Sequence, residues 1–367
     1  MMLHHYSLSV AHVFEAYYDC RKAKRRSLSA IEFEVNLEKN LMELYHDLRS
    51  GAWEPSPATV FAISYPRPRE VWAAAFRDRI VHHLIYRAIG PMFERAFIHD
   101  SCACIKGRGT LYAANRLTTH LLRATQNWTR PAFVLKADVA NFFGSIRQDI
   151  LYRLLERKVQ NEFLLDTLAK LVFQDVRVGA VRNCTEKQLS IVPPHKSLFN
   201  TRPRTGLAIG NLSSQFFANV YLDTVDQHLK RNFEIMHYVR YVDDMAAVHE
   251  SPSALLDAAE GIRERLCALG MRLAEHKTAI YPAEKGIDFV GRVIRPYHMS
   301  GRAKTHRCAL AKIEKLPESA LWKSCNSYLG LYRHAGSRAQ TVAICRSAIK
   351  RGLSVDYNLT RSFANAN

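Results

Sequence analysis

The chain has 367 residues, 48% of them hydrophobic, enough for a substantial core divided over two or three subdomains. Against 34 Asp and Glu stand 52 Lys and Arg, a formal charge of +18 spread along the whole chain, which favours a polyanionic partner, most simply nucleic acid. No run of about 18 apolar residues occurs and the N-terminus lacks a secretory pattern, so a membrane protein is excluded and a soluble, cytoplasmic one is expected.

Residues 10–50 read as two helices, the second opening on Ser29 and Glu32 at capping-box spacing. It carries Phe33, Leu37, Leu41, Leu44 and Leu48 on one face and closes at Gly51. Between the two lies RKAKRR, residues 21–26, either a solvated helix end or a phosphate contact. From Val60, a short strand in VFAISY and the stretch YPRPRE lead to a helix with Phe76, Ile80, Leu84 and Ile85. Arg67, Arg69, Arg77 and Arg79, with Lys106 and Arg108 in the glycine-bounded IKGRGT, are candidate phosphate contacts, although Arg77-Asp78-Arg79 reads equally as a local ion-pair set. His82-His83 reads as packing. The eight cysteines are scattered, and Cys102 and Cys104 lack the spacing of a zinc site, so reduced structural thiols are expected.

PAFVLKADVANFFGSI is an apolar strand ending at Asp138, a turn over Asn141 to Ser145, and a helix from Gln148. Residues 177–204, rich in Pro and Arg, read as a long functional loop. MHYVRYVDDMAAV is a hairpin with Asp243-Asp244 at its tip. A helix over Leu255 to Leu269, a strand in HKTAIYP and a second strand in IDFVGRVIRP follow, and beyond Gly301 the chain reads as basic helix to its end.

Two adjacent carboxylates between apolar strands are costly unless a cation neutralises them. Asp138, at the end of another apolar strand, makes a third, and three carboxylates on neighbouring strand ends suit two Mg²⁺ ions, with Mn²⁺ the alternative. Such ions serve nucleotidyl transfer. No phosphate-binding G-x-x-x-x-G-K-[ST] loop and no H-E-x-x-H motif competes.

In order, FVLKADVANFFGSI, GLAIGNLSSQFFANVYLD, YVRYVDDMAAV, LAEHKTAI and IDFVGRVI resemble the palm motifs of reverse transcriptases, and the resemblance covers roughly residues 60–295. It implies an α+β fold of right-hand polymerase architecture: an N-terminal helical segment 1–59, fingers 60–130, a palm 131–296 with an insertion near 177–205, and a helical, basic thumb 297–367. PPHKSLF followed by GLAIGNLSSQ resembles the enzymes of diversity-generating retroelements, and Ile209 falls where most bacterial relatives carry the glutamine of Pro-Gln-Gly.

The resemblance assigns Asp138, Asp243 and Asp244 as catalytic, metal-binding acids and Phe143 as the gate against a 2′-hydroxyl. Arg69 contacts the incoming triphosphate, Lys277 lies near the leaving pyrophosphate, and Ile209 and Gly210 lie beneath the nascent pair. Phe289, Val290 and Gly291 form the primer grip. Implied partners are a template RNA, an RNA/DNA hybrid, dNTPs and a small basic accessory protein supplied in trans. Because isoleucine packs but offers no hydrogen bond, lowered fidelity is expected, and the resemblance implies errors opposite template adenine. The competing readings are an antiphage-defence or retron reverse transcriptase and, from another class, an inactive nucleic-acid-binding scaffold.

Overall fold

The structure, a computed structural model, describes residues 5–22, 27–64, 67–334 and 337–364. Most of the basic run at 21–26, namely Ala23 to Arg26, lies outside the described residues, as do Tyr65 and Pro66. The chain gathers into two compact units, one formed by residues 1–104, 139–229 and 261–274, the other by 105–138, 230–260 and 275–367. Each unit therefore takes alternate stretches of the chain.

The first unit opens with three helices rather than two, Val10–Arg21, Leu28–Glu34 and Leu37–Ser50. Ser29 lies inside the second helix, whose cap position, Ser27, makes no side-chain capping bond, so the expected box with Glu32 does not form. A capping box forms instead where Ser9 and His12 exchange bonds at the first helix. Leu41, Leu44 and Leu48 of the third helix are buried, and Gly51 ends it in the left-handed conformation at φ 76°. Thr59–Ile63 pairs antiparallel with Arg69–Ala73 and parallel with the two-residue strand Val181–Arg182. The stretch 177–205, expected as loop, carries that strand and short helical turns at Glu186–Leu189, Pro194–Lys196 and Leu198–Asn200. The helix Phe76–Ala96 follows, and residues up to Leu229 of the helix Leu212–Asn232 bury Phe216, Phe217 and Val220.

The second unit holds a four-stranded sheet in the order His237–Tyr241, Asp244–His249, Phe133–Asp138, Ala279–Pro282, antiparallel throughout. The helix Thr110–Ala124 packs on the first two of these strands and buries Ala113, Ala114, Leu117 and Leu121. IDFVGRVIRP, expected as one strand, is a hairpin of Ile287–Phe289 and Arg292–Arg295, extended by His298–Gly301. Positive φ at Val290 (44°) and Gly291 (85°) turns the chain there. Three helices, Ala303–Lys315, Glu318–Arg333 and Arg338–Lys350, share a core of Ile313, Leu321, Cys325, Leu329, Tyr332 and Ile344. Helix does not run to the end: Leu353–Val355 pairs with Ser362–Ala364. No helix of the described residues is long and apolar enough to cross a membrane, and none of the eight cysteines is in a disulfide.

Candidate active site

In the second unit the three acids meet through strand register. Asp138 ends the strand Phe133–Asp138 directly opposite Asp244, the first residue of its neighbour, while Asp243 occupies the turn between the paired strands. Like charges directly opposite across an antiparallel pair destabilise a sheet, so the sequence must supply cations here. Two lysines do so. Lys277 Nζ lies 2.6 Å from Asp138 Oδ1, and Lys136, two residues before Asp138 and therefore on its face of the strand, pairs with Asp244. The Lys136 ammonium also lies 5.0 Å from the centre of the Phe289 ring, joining the acids to the hairpin that carries Val290 and Gly291.

Burial, followed by the neighbouring Asp138 charge, pushes the Asp243 carboxyl up to about 6. Asp244 is also raised, again by burial first, with the charge and hydrogen bond of Lys136 opposing. Arg240, buried on the preceding strand, donates to the Val242 carbonyl at 3.0 Å and braces this turn, where Val242 itself has a φ of 56°. Among the described residues no three Asp, Glu, His or Cys side chains are grouped so that they could hold a metal ion as they stand. Asp138 and Asp244, each bonded to an ammonium group, and Asp243 in the adjoining turn offer hard oxygen donors of the kind a divalent cation takes.

The first unit holds Arg69, Phe143, Ile209 and Gly210. Residues 206–211 are strung between two pieces of chain by main-chain bonds. At one end Leu207 N donates to Phe143 O at 2.9 Å and Gly206 N to Ile146 O at 2.8 Å. At the other, Trp72 N donates to Ile209 O at 2.7 Å and Ala74 N to Asn211 Oδ1 at 3.2 Å. Arg69, exposed, begins the strand that contains Trp72. Arg69, Phe143, Ile209 and Gly210 thus belong to one hydrogen-bonded assembly. Phe142 is buried and Phe143 only partly so. Gly210 is needed for a local reason: at φ 141°, a Cβ would stand 2.6 Å from the Trp72 carbonyl oxygen.

Other basic candidates are engaged elsewhere. Arg77 pairs with Asp47, Arg79 Nε donates to the Ala74 carbonyl at 2.7 Å, and buried Asp78 accepts from Trp53 Nε1 and Ser56 N. These arginines are structural, whereas Arg67, Arg69 and Lys106 are exposed. His82 is buried, with Nδ1 2.6 Å from Ser213 Oγ, in keeping with packing. Lys136 and Arg240 went unnoticed in the sequence; their signal was a basic residue inside an otherwise apolar strand, two or three positions before a candidate acid.

Residues 67–294, more than half of the chain, match the family described as reverse transcriptase (RNA-dependent DNA polymerase). Among curated proteins, Protein YkfC of Escherichia coli (strain K12) is 23% identical over 301 residues, covering 71% of this chain and 73% of that protein. Among solved structures, apo telomerase from Candida tropicalis, truncated from its C-terminal domain, gives a TM-score of 0.46 at 12% identity over 72% of this chain, which spans 60% of the telomerase chain.

Proposed function

This chain belongs to the reverse transcriptase family of RNA-directed DNA polymerases, and from that premise we propose that it makes error-prone cDNA from the template RNA of a diversity-generating retroelement. The polymerase reading is carried by the opposed pair Asp138 and Asp244, with Asp243 in the adjoining turn. Asp138, Asp243 and Asp244 would hold two Mg²⁺ ions, which when bound lower the pKa of the primer 3′-hydroxyl and stabilise the departing pyrophosphate. Lys277 and Lys136 hold the Asp138 and Asp244 carboxylates in place before any nucleotide arrives. Arg69 takes the triphosphate, Phe143 excludes a 2′-hydroxyl, and Phe289, Val290 and Gly291 carry the primer strand. In this reading residues 60–130 serve as fingers, 131–296 as palm and 297–367 as thumb, and a small basic protein assists in trans in the cytoplasm.

Lowered fidelity is supported by the way Ile209 is held. Its carbonyl bonds to Trp72 N, so the main chain fixes the position whatever the side chain, and the side chain alone sets what the nascent pair meets. An isoleucine there offers contact without hydrogen-bond readout, and sites of that kind discriminate poorly. Purified protein given primed RNA, dNTPs and Mg²⁺ is expected to make cDNA, and Asp243→Ala to make none. Sequencing that cDNA should show misincorporation concentrated opposite adenine and reduced there in Ile209→Gln. Equal synthesis by wild type and Asp243→Ala would end the polymerase reading; an unchanged error spectrum in Ile209→Gln would remove Ile209 from the mechanism.

A further inference from the structure

In the second unit the helix Arg338–Lys350 begins with half a capping box. Ser337 caps it by accepting from Gln340 N at 3.4 Å, so Gln340 stands where the glutamine of a Ser-x-x-Gln start would reach back to the cap main chain. The same pattern closes fully elsewhere in this chain, where Gln188 Oε1 accepts from Thr185 N at 2.9 Å. At Gln340 the side chain is diverted. Its amide takes both main-chain groups of Gly301, 39 residues away: Gly301 N donates to Oε1 at 2.9 Å, and Nε2 donates to the Gly301 carbonyl at 2.9 Å.

Gly301 ends the strand His298–Gly301, which lies at one edge of the three-stranded sheet formed with Ile287–Phe289 and Arg292–Arg295. An edge strand lacks a strand partner on one side, and buried main-chain groups left unpaired are costly. Gly301 is buried, so the Gln340 amide, one acceptor and one donor, stands where a further strand would pair. A second helix closes on the same residue: a Cβ on Gly301 would lie 2.3 Å from Cε1 of Tyr332, in the helix Glu318–Arg333.

From Gly301 the path to the hairpin turn is short. Gly301 is opposite Arg292 in the register, Arg292 directly follows Gly291, and Arg302 N donates to the Gly291 carbonyl at 3.4 Å. Arg302 also pairs with Asp288. At the turn Val290 has a φ of 44°, which strains a β-branched residue and persists only where neighbouring structure fixes it.

We propose that Gln340 is a positioning residue for the primer: it completes the edge of the sheet at Gly301 and thereby keeps the turn Val290–Gly291 in the conformation that receives the primer strand. This role rests on the reading of Phe289, Val290 and Gly291 as the part of the chain that carries the primer. Gln340 itself touches no nucleic acid in it; the effect passes through Gly301 and Arg292 to the turn.

Gln340→Met keeps the length and helix-forming character of the side chain and removes both bonds. Ser337→Ala is its control, since it weakens the helix start and leaves the Gln340 side chain in place. In the full-length protein, without Mg²⁺ or dNTPs, Gln340→Met is expected to bind a primed RNA template about fivefold more weakly than wild type, the effect of a lost hydrogen bond. Its affinity for the same RNA without a primer should equal that of wild type. Ser337→Ala should melt at a lower temperature and keep the wild-type ratio of primed to unprimed affinity, as Gln340→Met would if its role were merely structural. Hydrogen exchange at residues 287–292, measured without nucleic acid, should be faster in Gln340→Met and unchanged in Ser337→Ala. A folded Gln340→Met protein with the wild-type affinity ratio, an equal loss on both RNAs, or unchanged exchange in the hairpin would overturn the proposal. If the split appears and wild type makes no cDNA, the polymerase reading fails and the role of Gln340 stands.

Discussion

At Gly210 the Trp72 carbonyl lies so close, and φ is so far into the positive region, that a methyl group has no room and the backbone no comfortable alternative. Gly210→Ala is expected to destabilise the protein by more than about 1 kcal/mol, read as a lower urea midpoint. A wild-type midpoint would show that the segment relaxes away from Trp72. This glycine stood out in the sequence, but as a place where the nascent base pair approaches; the close neighbour seen here is the chain's own backbone. Lys136 shows the converse. Its alternation with Asp138 was legible, but its partner Asp244 is 108 residues away in sequence, and only register brings the two together.

Between elements, the helix Phe76–Ala96 meets the start of the helix Leu212–Asn232 through His82 and Ser213. Burial lowers the His82 pKa from 6.5 to about 3. As pH falls below 6.5 the unfolded chain takes up this proton and the folded one does not, so the stability present in full above 6.5 is lost towards 3. The slope is up to about 1.4 kcal/mol per pH unit. Urea midpoints between pH 7.5 and 5 should therefore fall in wild type and fall less in His82→Gln, which keeps a polar partner for Ser213 without titrating; identical pH dependence in the two would show that His82 is not the group responsible. Element types were mostly legible, because the 3.6-residue and two-residue periods survive in single stretches of sequence. The helix break at Val35-Asn36 was not, since it does not interrupt the apolar pattern.

Across the whole molecule, the charge of +18 sets the strength of nucleic-acid binding rather than its sequence preference. Affinity for a primed RNA template is expected to fall steeply with salt, with a log–log slope of roughly 4 or more for several phosphate contacts, while unrelated duplex sequences of equal length bind alike. A flat salt profile would contradict that origin of the affinity. The amino-acid sequence by itself determined the order of the acid-bearing strands, the excess of basic residues and the family, because alternation, composition and motif order are properties of the linear chain. Tertiary structure alone decided which lysine answers which acid, that Arg77 and Arg79 are committed to structure, and that Arg292 lies buried with no carboxylate partner among the described residues, donating instead to Thr110. Those are pairings between positions far apart in the sequence, such as Lys277 and Asp138 at a separation of 139 residues, and only strand register and packing specify them.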